Sequence, residues 1–178
     1  EGYDCDKISI EKLKHFVSKE AFNIDGFGKK IVESFWNLNL IKFPQDIFKL
    51  NFQKIEQLDG WGTLSVENLQ YSINQKKKIS FERFIYSLGI RHIGLENAKL
   101  LSKYFGTFSK LKDLSNNNKF NDLINIDGIG ETQVNSIKIF FSNKTNMTIL
   151  NELGKILSIN NAAAKRKNGL LKNKTFLV

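Results

Sequence analysis

A glycine-containing turn pattern recurs four times along this chain, and the repeat constrains the fold more than any other feature of the sequence. The four stretches begin at Ile24, Leu58, Ile90 and Ile126, so successive starts lie 34, 32 and 36 residues apart. A near-constant period of this length is typical of an array of similar supersecondary units. We therefore expect the chain to be built from four related units.

Each stretch reads apolar-x-Gly-apolar-Gly and is followed by residues with helical periodicity. The clearest copy runs through residues 126–130, whereas the third copy carries His92 in place of the first glycine. Two glycines around one apolar residue permit positive φ and a close approach of another molecule. This is the pattern of the helix-hairpin-helix motif. The predicted fold class is therefore all-α, a tandem array of four helix-hairpin-helix motifs.

The second glycine of each stretch precedes a predicted helix, whose first backbone N–H groups have no partner within that helix. These donors and the positive end of the helix dipole attract an anion such as phosphate. Such a hairpin would hold the DNA backbone without reading bases. For any single copy the alternative is a tight helix–helix turn with no ligand, but four copies on a basic chain favour DNA. The candidate DNA-binding residues are Gly26, Phe27, Gly28, Lys29, Lys30, Gly60, Gly62, Thr63, Arg91, His92, Gly94, Gly128, Ile129, Gly130 and Thr132.

The charge of the chain also favours a polyanionic partner. Lys and Arg outnumber Asp and Glu by 27 to 18, giving a net charge of +9, and residues 101–178 hold twelve basic and five acidic residues. A basic domain of this kind predicts nucleic-acid binding, although a solvated lysine-rich surface is the alternative. No apolar run approaches the ~20 residues of a membrane span, and no signal peptide opens the chain. We expect a cytoplasmic monomer that binds duplex DNA and no membrane.

Local patterns predict several element boundaries. Ser9 is expected to cap the first helix, Pro44 to open a short one and Ser80 to cap another. Residues 75–78, Gln-Lys-Lys-Lys, indicate a short basic linker, and residues 175–178 indicate a β-strand at the C-terminus. Trp61, which lies between two glycines, is interpreted as a core residue rather than as a platform for a nucleobase.

Two longer stretches resemble the bacterial NAD-dependent DNA ligases. Residues 13–19, Leu-Lys-His-Phe-Val-Ser-Lys, run into residues 23–28 and are similar to the segment that follows the zinc finger in that family. Residues 88–94, Leu-Gly-Ile-Arg-His-Ile-Gly, are nearly identical to a second family stretch. The family usually has arginine where Lys19 stands, which is a mild departure. The resemblance covers almost the whole chain, from Cys5 onward.

The resemblance implies a parent enzyme that seals nicks in DNA during replication and repair, with NAD, zinc and magnesium as cofactors, in the bacterial nucleoid region of the cytoplasm. Cys5 precedes Leu13 at the family spacing, so it corresponds to one of four zinc ligands, the others being absent from this chain. The implied domains are a zinc-finger remnant at 1–8, the helix-hairpin-helix domain at 9–157, a basic linker at 158–172 and the start of a truncated BRCT-like domain at 173–178.

The catalytic chemistry of such an enzyme is not encoded in these residues. No Lys-x-Asp-Gly adenylation motif occurs, because no lysine stands two positions before the aspartate of any Asp-Gly pair. We therefore expect no catalytic residue, no activity of this chain alone and no bound cofactor; one thiolate cannot form a structural zinc site. The alternatives are a helix-hairpin-helix module of a repair nuclease or Holliday-junction protein, and a helical array that binds only proteins.

Overall fold

The computed structural model describes residues 5–162 of the 178-residue chain, with the side chain of Asn117 excepted. This part of the chain is mostly helical, as the sequence predicts. Residues 5–162 form nine α-helices, which in chain order are α1 Asp6–Val17, α2 Lys29–Asn37, α3 Phe52–Glu56, α4 Thr63–Gln75, α5 Phe81–Ser87, α6 Leu95–Phe105, α7 Phe108–Asn117, α8 Glu131–Ser142 and α9 Lys144–Ile156. Two 3-10 helices, Pro44–Lys49 and Phe120–Asn125, and two strands, β1 Lys78–Ser80 and β2 Ser158–Asn160, complete the described elements.

The helices surround one continuous core of buried apolar side chains. Each long helix contributes residues three or four positions apart, such as Leu13 and Phe16 on α1 or Val32 and Phe35 on α2. Burying one such side chain stabilises the fold by about 1.5–3 kcal/mol. The core therefore fixes the positions from which the four turns project.

The first helix begins earlier than the sequence suggests. The prediction that Ser9 caps α1 is wrong: the N-cap is Cys5, and Ser9 lies inside the helix with its N–H donating to the Cys5 carbonyl at 2.8 Å. Ser9 is buried because it lies one turn before Leu13 on the face that packs into the core. The predictions for Pro44 and Ser80 are confirmed, since Pro44 opens a 3-10 helix and the Ser80 hydroxyl accepts the Arg83 N–H at 3.4 Å.

A small parallel sheet is the departure from an all-α fold. Strands β1 and β2 pair with Ile79 opposite Ile159, and the Ser158 N–H donates to the Lys77 carbonyl at 2.7 Å. The predicted linker at 75–78 is therefore divided between the end of α4 and the start of β1. Three-residue strands carry too little alternation to be recognised locally, and the partner strand lies at the far end of the helical unit. The strand predicted at 175–178 lies outside the described residues, as do most of the predicted linker and the predicted BRCT-like start.

The helices of the described region do not reach the combination of length and apolar character that crossing a bilayer requires.

Candidate nucleic-acid interface

The four repeated stretches fold into four turns with the same backbone geometry, each leading into an α-helix. The first glycine position of each has positive φ: +78° at Gly26, +84° at Gly60, +65° at His92 and +98° at Gly128. Residues with a Cβ rarely adopt this conformation, so the backbone itself demands glycine at three of these positions. We number the turns in chain order as turn 1 (24–28), turn 2 (58–62), turn 3 (90–94) and turn 4 (126–130).

Turn 3 maintains the same conformation with a histidine. The Asn97 side-chain amide donates to the His92 carbonyl at 3.0 Å. This hydrogen bond holds the peptide group that follows His92, the residue with positive φ. Both Arg91 and His92 are exposed. Their side chains therefore extend from the tip of turn 3 towards solvent, as a surface contact with DNA would require.

The apolar residue at the centre of each turn points inward. In every turn its N–H donates to the carbonyl three residues earlier, at 3.0–3.1 Å. Phe27 and Ile129 are buried, so these two candidate residues pin the turn from below and present no side chain to a ligand. Trp61 is half-buried, with its ring centroid 5.7 Å from that of Phe35, which agrees with its predicted core role.

The second glycine of each turn is the N-cap of the following helix and has ordinary extended backbone, with φ of −83° at Gly28, −117° at Gly62 and −88° at Gly94. A Cβ added at any of these three positions would meet no described atom within 4 Å. Neither backbone conformation nor internal packing therefore requires glycine there. Because glycine has no side chain, the surface directly above each of these helix starts is open.

The four helix starts differ in how their N-cap N–H is used. The Gly62 N–H donates to the Ser65 hydroxyl at 2.9 Å, and the Gly130 N–H donates to the Gln133 side-chain oxygen at 3.0 Å. In the described part of the chain, no such side chain receives the N–H of Gly28 or Gly94. Turns 2 and 4 are therefore self-capped, whereas turns 1 and 3 leave this donor to an outside acceptor.

The local charge of the turns also differs. Lys29 and Lys30 stand exposed at the start of α2, after turn 1, whereas exposed Glu131 opens α8, after turn 4. Five of the twelve basic residues after position 100 lie in 163–178, outside the described residues. The described residues from 101 to 162 hold seven basic and five acidic residues, so this part of the chain is only weakly positive.

At the start of α4, the candidate residue Thr63 is already engaged: its hydroxyl donates to a Glu56 carboxylate oxygen at 2.6 Å. A phosphate oxygen that accepted from the Thr63 hydroxyl at turn 2 would therefore compete with this carboxylate. Thr132, two residues into α8, is exposed. Of the two candidate threonines, Thr132 is the more accessible to a ligand.

An ion pair connects α1 to the helix after turn 1. The Lys14 ammonium lies 2.6 Å from a Glu33 carboxylate oxygen. This hydrogen bond lowers the pKa of the Glu33 carboxyl and raises the pKa of Lys14. Both charged forms are favoured, so the link persists at neutral pH.

A cleft lies between α1, turn 3 and α8, and we call it the α1–α8 cleft. Its volume is about 820 Å³, and its lining includes the predicted site residues Arg91, His92 and Thr132. It also includes Lys7 and Lys12 of α1, which sequence reasoning did not identify. These lysines precede turn 3 by some eighty residues, so no local pattern could associate them with it.

The described residues do not fit a zinc site. Cys5 is exposed at the start of α1, and within 5–162 no three or more His, Cys, Asp and Glu side chains come together as metal ligands. A structural zinc ion needs four such ligands in tetrahedral array. Zinc ligation by Cys5 therefore remains only an implication of the resemblance.

Part of the chain matches the sequence model of a known motif. The sequence model described as "Helix-hairpin-helix motif" matches residues 83–150, which contain turns 3 and 4 and the helices that follow them. Turns 1 and 2 lie outside that match but share the same φ pattern and turn hydrogen bonds.

Similar proteins extend the match to the whole chain. The chain is 63% identical over 178 residues to the "DNA ligase" of Pelagibacter ubique (strain HTCC1062), covering 100% of this chain and 26% of that protein. It is 40% identical over 185 residues to the "DNA ligase" of Rickettsia rickettsii (strain Sheila Smith), covering 97% of this chain and 27% of that protein. It is 41% identical over 182 residues to the "DNA ligase" of Wolbachia pipientis wMel, covering 98% and 27%.

The chain thus spans about a quarter of the length of the curated relatives it matches. The resemblance seen in residues 13–28 and 88–94 is confirmed by identity that extends along the full sequence. We conclude that this chain matches, along its full length, a segment of proteins named DNA ligase.

Proposed function

We propose that this chain binds duplex DNA without sequence preference, through four helix-hairpin-helix motifs whose turns contact backbone phosphates. The observation that carries the proposal is the second glycine of the turns. At Gly28, Gly62 and Gly94 the protein has room for a side chain and no conformational need for glycine. Its presence at each helix start is explained by a partner whose backbone approaches more closely than a Cβ would allow.

A phosphate is the partner that suits such a helix start. The first N–H groups of an α-helix and its dipole together favour an anion, and the interaction weakens rapidly with distance. Contacts of this kind fix the position of a protein on the duplex but carry no information about bases. The net charge of +9 would add long-range attraction and make the affinity depend on salt.

Four phosphate contacts also suggest how the duplex is held. We propose that the turns act in two neighbouring pairs, turn 1 with turn 2 and turn 3 with turn 4, and that the pairs grip the two strands across the minor groove. Arg91 adds a side-chain contact at turn 3, since a guanidinium is always charged and can hold a phosphate with two hydrogen bonds. Lys29 and Lys30 supply positive charge at turn 1.

For the whole protein we propose nick sealing in duplex DNA. The support is that the relatives covering the full chain are named DNA ligase. From the resemblance, the cofactor would be NAD, with zinc and magnesium bound by other parts of the protein. The role of this chain would be to hold nicked DNA, because its sequence lacks a Lys-x-Asp-Gly motif. The names of the relatives favour this role over a repair nuclease, a junction-binding protein or a protein-binding array.

The test is a variant with serine at positions 28, 62 and 94. Serine is a good N-cap residue, so the helices should be retained. Its Cβ and hydroxyl would occupy the space above each helix start, and we expect the affinity for a 20-base-pair duplex to fall by at least about tenfold, or ~1.4 kcal/mol. Fluorescence anisotropy on two unrelated duplexes measures the affinity, and circular dichroism monitors the helices.

A matched control carries three serines on exposed positions away from the turns: Asn37→Ser, Asn74→Ser and Asn151→Ser. This control should bind like the parent chain, and the parent should bind both duplexes equally, with an affinity that falls steeply as salt increases. Undiminished binding by the turn variant with intact helices would contradict the proposal. Absence of binding at low salt would favour a protein-binding array.

A further inference from the structure

We infer that the α1–α8 cleft is a second DNA contact, which takes the sugar–phosphate backbone of the strand held at turn 3. This inference rests on the proposed function and adds a surface outside the four turns. It makes the amino-terminal half of α1 and the exposed face of α8 part of the DNA interface. The charge, the hydrogen-bonding groups and the position of the cleft identify duplex DNA as the partner.

The wall formed by α1 and turn 3 is positively charged. Lys7, Lys12 and Arg91 all line the cleft. Glu11 is the one carboxylate in the lining of the described structure, and the Lys14 ammonium lies 3.3 Å from it. An anionic chain entering the cleft would therefore meet an excess of cations.

This wall is held in place by contacts between α1 and the approach to turn 3. The Lys12 ammonium donates to the Gly89 carbonyl at 3.2 Å, and a ring nitrogen of His15 lies 2.7 Å from the Tyr86 carbonyl. A carbonyl can only accept, so that nitrogen of His15 donates. These bonds fix α1 against the residues that lead into Arg91, and they keep the Lys12 charge at the cleft.

The opposite wall offers uncharged hydrogen-bonding groups. Asn135 and Ser136 lie three and four residues after Thr132 on α8, which places them on the same face of the helix as Thr132. Within residues 5–162 their side chains have no hydrogen-bond partner, and the Lys7 ammonium likewise has none. Threonine, serine and asparagine are among the side chains that bind phosphate and sugar oxygens of DNA.

Two exposed isoleucines line the same cleft, Ile8 with 42% and Ile139 with 56% of its surface accessible. Apolar side chains between cations and hydroxyls suit the alternating chemistry of deoxyribose and phosphate. A polyacidic peptide would pair with the lysines equally well, but it would not explain why the cleft lies beside turn 3. The cleft is bordered by Arg91, His92 and Thr132, so a strand bound at turn 3 continues directly into it.

The experiment uses cysteine protection. Cys5 is the sole cysteine of the 178-residue sequence, so Cys5→Ser combined with Ile139→Cys gives one reactive thiol in the cleft. The matched control is Cys5→Ser with Tyr104→Cys, at an exposed position in the last turn of α6, the opposite end of that helix from turn 3. With saturating duplex DNA, we expect maleimide labelling at position 139 to slow by at least about tenfold, and labelling at position 104 to stay unchanged.

A second measurement tests the charged wall without a label. Removing one phosphate-neutralising lysine lowers the slope of log affinity against log salt by about 0.9. We expect this decrease for Lys7→Ala, and no decrease for Lys138→Ala, an exposed lysine of α8 outside the cleft lining.

The outcomes separate this inference from the proposed function. If the parent chain binds DNA but position 139 is not protected and Lys7→Ala leaves the slope unchanged, the cleft inference is overturned and the proposed function stands. If polyglutamate of equal charge protects position 139 as well as DNA does, duplex DNA is not the specific partner of the cleft and the inference is overturned. If the parent chain does not bind DNA, both fail.

Discussion

Turn 1 and turn 4 have the same backbone path but differ in what they leave available to a ligand. At turn 1 the Gly28 N–H has no side-chain acceptor among the described residues, and Lys29 and Lys30 follow it. At turn 4 the Gly130 N–H is already bonded to Gln133, and the next residue is Glu131. Turn 4 has the most regular sequence of the four and the least favourable surroundings for phosphate.

The regularity of the motif therefore reports on folding more than on binding. The residues that define the pattern are those that the turn needs to close: a position with positive φ, an apolar pin and a helix start. The affinity for phosphate depends in addition on whether donors are free and which charges lie nearby. The four turns therefore share one fold, and we expect them to divide the binding energy unequally.

The largest expected effect concerns folding. Alanine at Gly128 would have to adopt φ of +98°, with its Cβ 2.8 Å from a methyl of Leu100, whereas alanine at Gly26 would have φ of +78° and open space. We expect Gly128→Ala to destabilise the chain by about 1–3 kcal/mol and Gly26→Ala to cost about 1–2 kcal/mol. Urea denaturation of the two variants measures this, and equal losses would show that the Leu100 contact relaxes without cost.

The positive φ and the Leu100 contact at Gly128 also affect how a variant with valine at both Gly128 and Gly130 must be interpreted. The strain at Gly128 would alter the turn before any phosphate contact were affected. Loss of DNA affinity in such a variant would therefore report on folding.

An intermediate effect compares the two helix starts directly. Aspartate is a favourable N-cap, so both Gly28→Asp and Gly130→Asp should fold with unchanged or slightly higher stability. A carboxylate at turn 1 would repel the phosphate and occupy the uncapped donors, and we expect about a tenfold loss of DNA affinity. At turn 4, where Gln133 and Glu131 already stand, we expect about a two- to threefold loss. Equal losses in anisotropy titrations would contradict the division between the turns.

The smallest effect would convert turn 4 towards turn 1. In Gln133→Ala the Gly130 N–H loses its side-chain acceptor, and we expect DNA affinity to rise by about twofold. Loss of this cap should lower the free energy of unfolding by about 0.5–1 kcal/mol. Lower affinity together with lower stability would instead mean that Gln133 contributes to the DNA contact itself.

Much of the fold could be predicted because its determinants are local. The period of the repeat, the helical spacing of apolar residues and the caps at Pro44 and Ser80 lie within a few residues of one another. The start of α1 was misplaced because a serine at residue 9 is a common cap, and only packing against the core shows that it is buried. The β1–β2 pair was missed because two three-residue strands carry no readable signal.

The candidate site divides in the same way. The sequence alone located all four turns, because positive φ and a buried pin are demands of the local backbone. It selected Phe27 and Ile129 as contacts, although both side chains are buried. Burial depends on the side of the turn that the core covers, and the pattern of glycines does not encode it.

The amino-acid sequence is therefore sufficient to show that this chain is helical, that one turn pattern recurs four times and that the chain resembles the DNA ligases along its length. Only the folded structure shows that Lys7, Lys12 and Arg91 line one cleft together with α8, and that only some helix starts leave their donors open. These two kinds of property depend on interactions of different range along the chain. Backbone conformation and helix periodicity act over a few residues, whereas the charge and accessibility of a binding surface depend on which distant segments the core brings together.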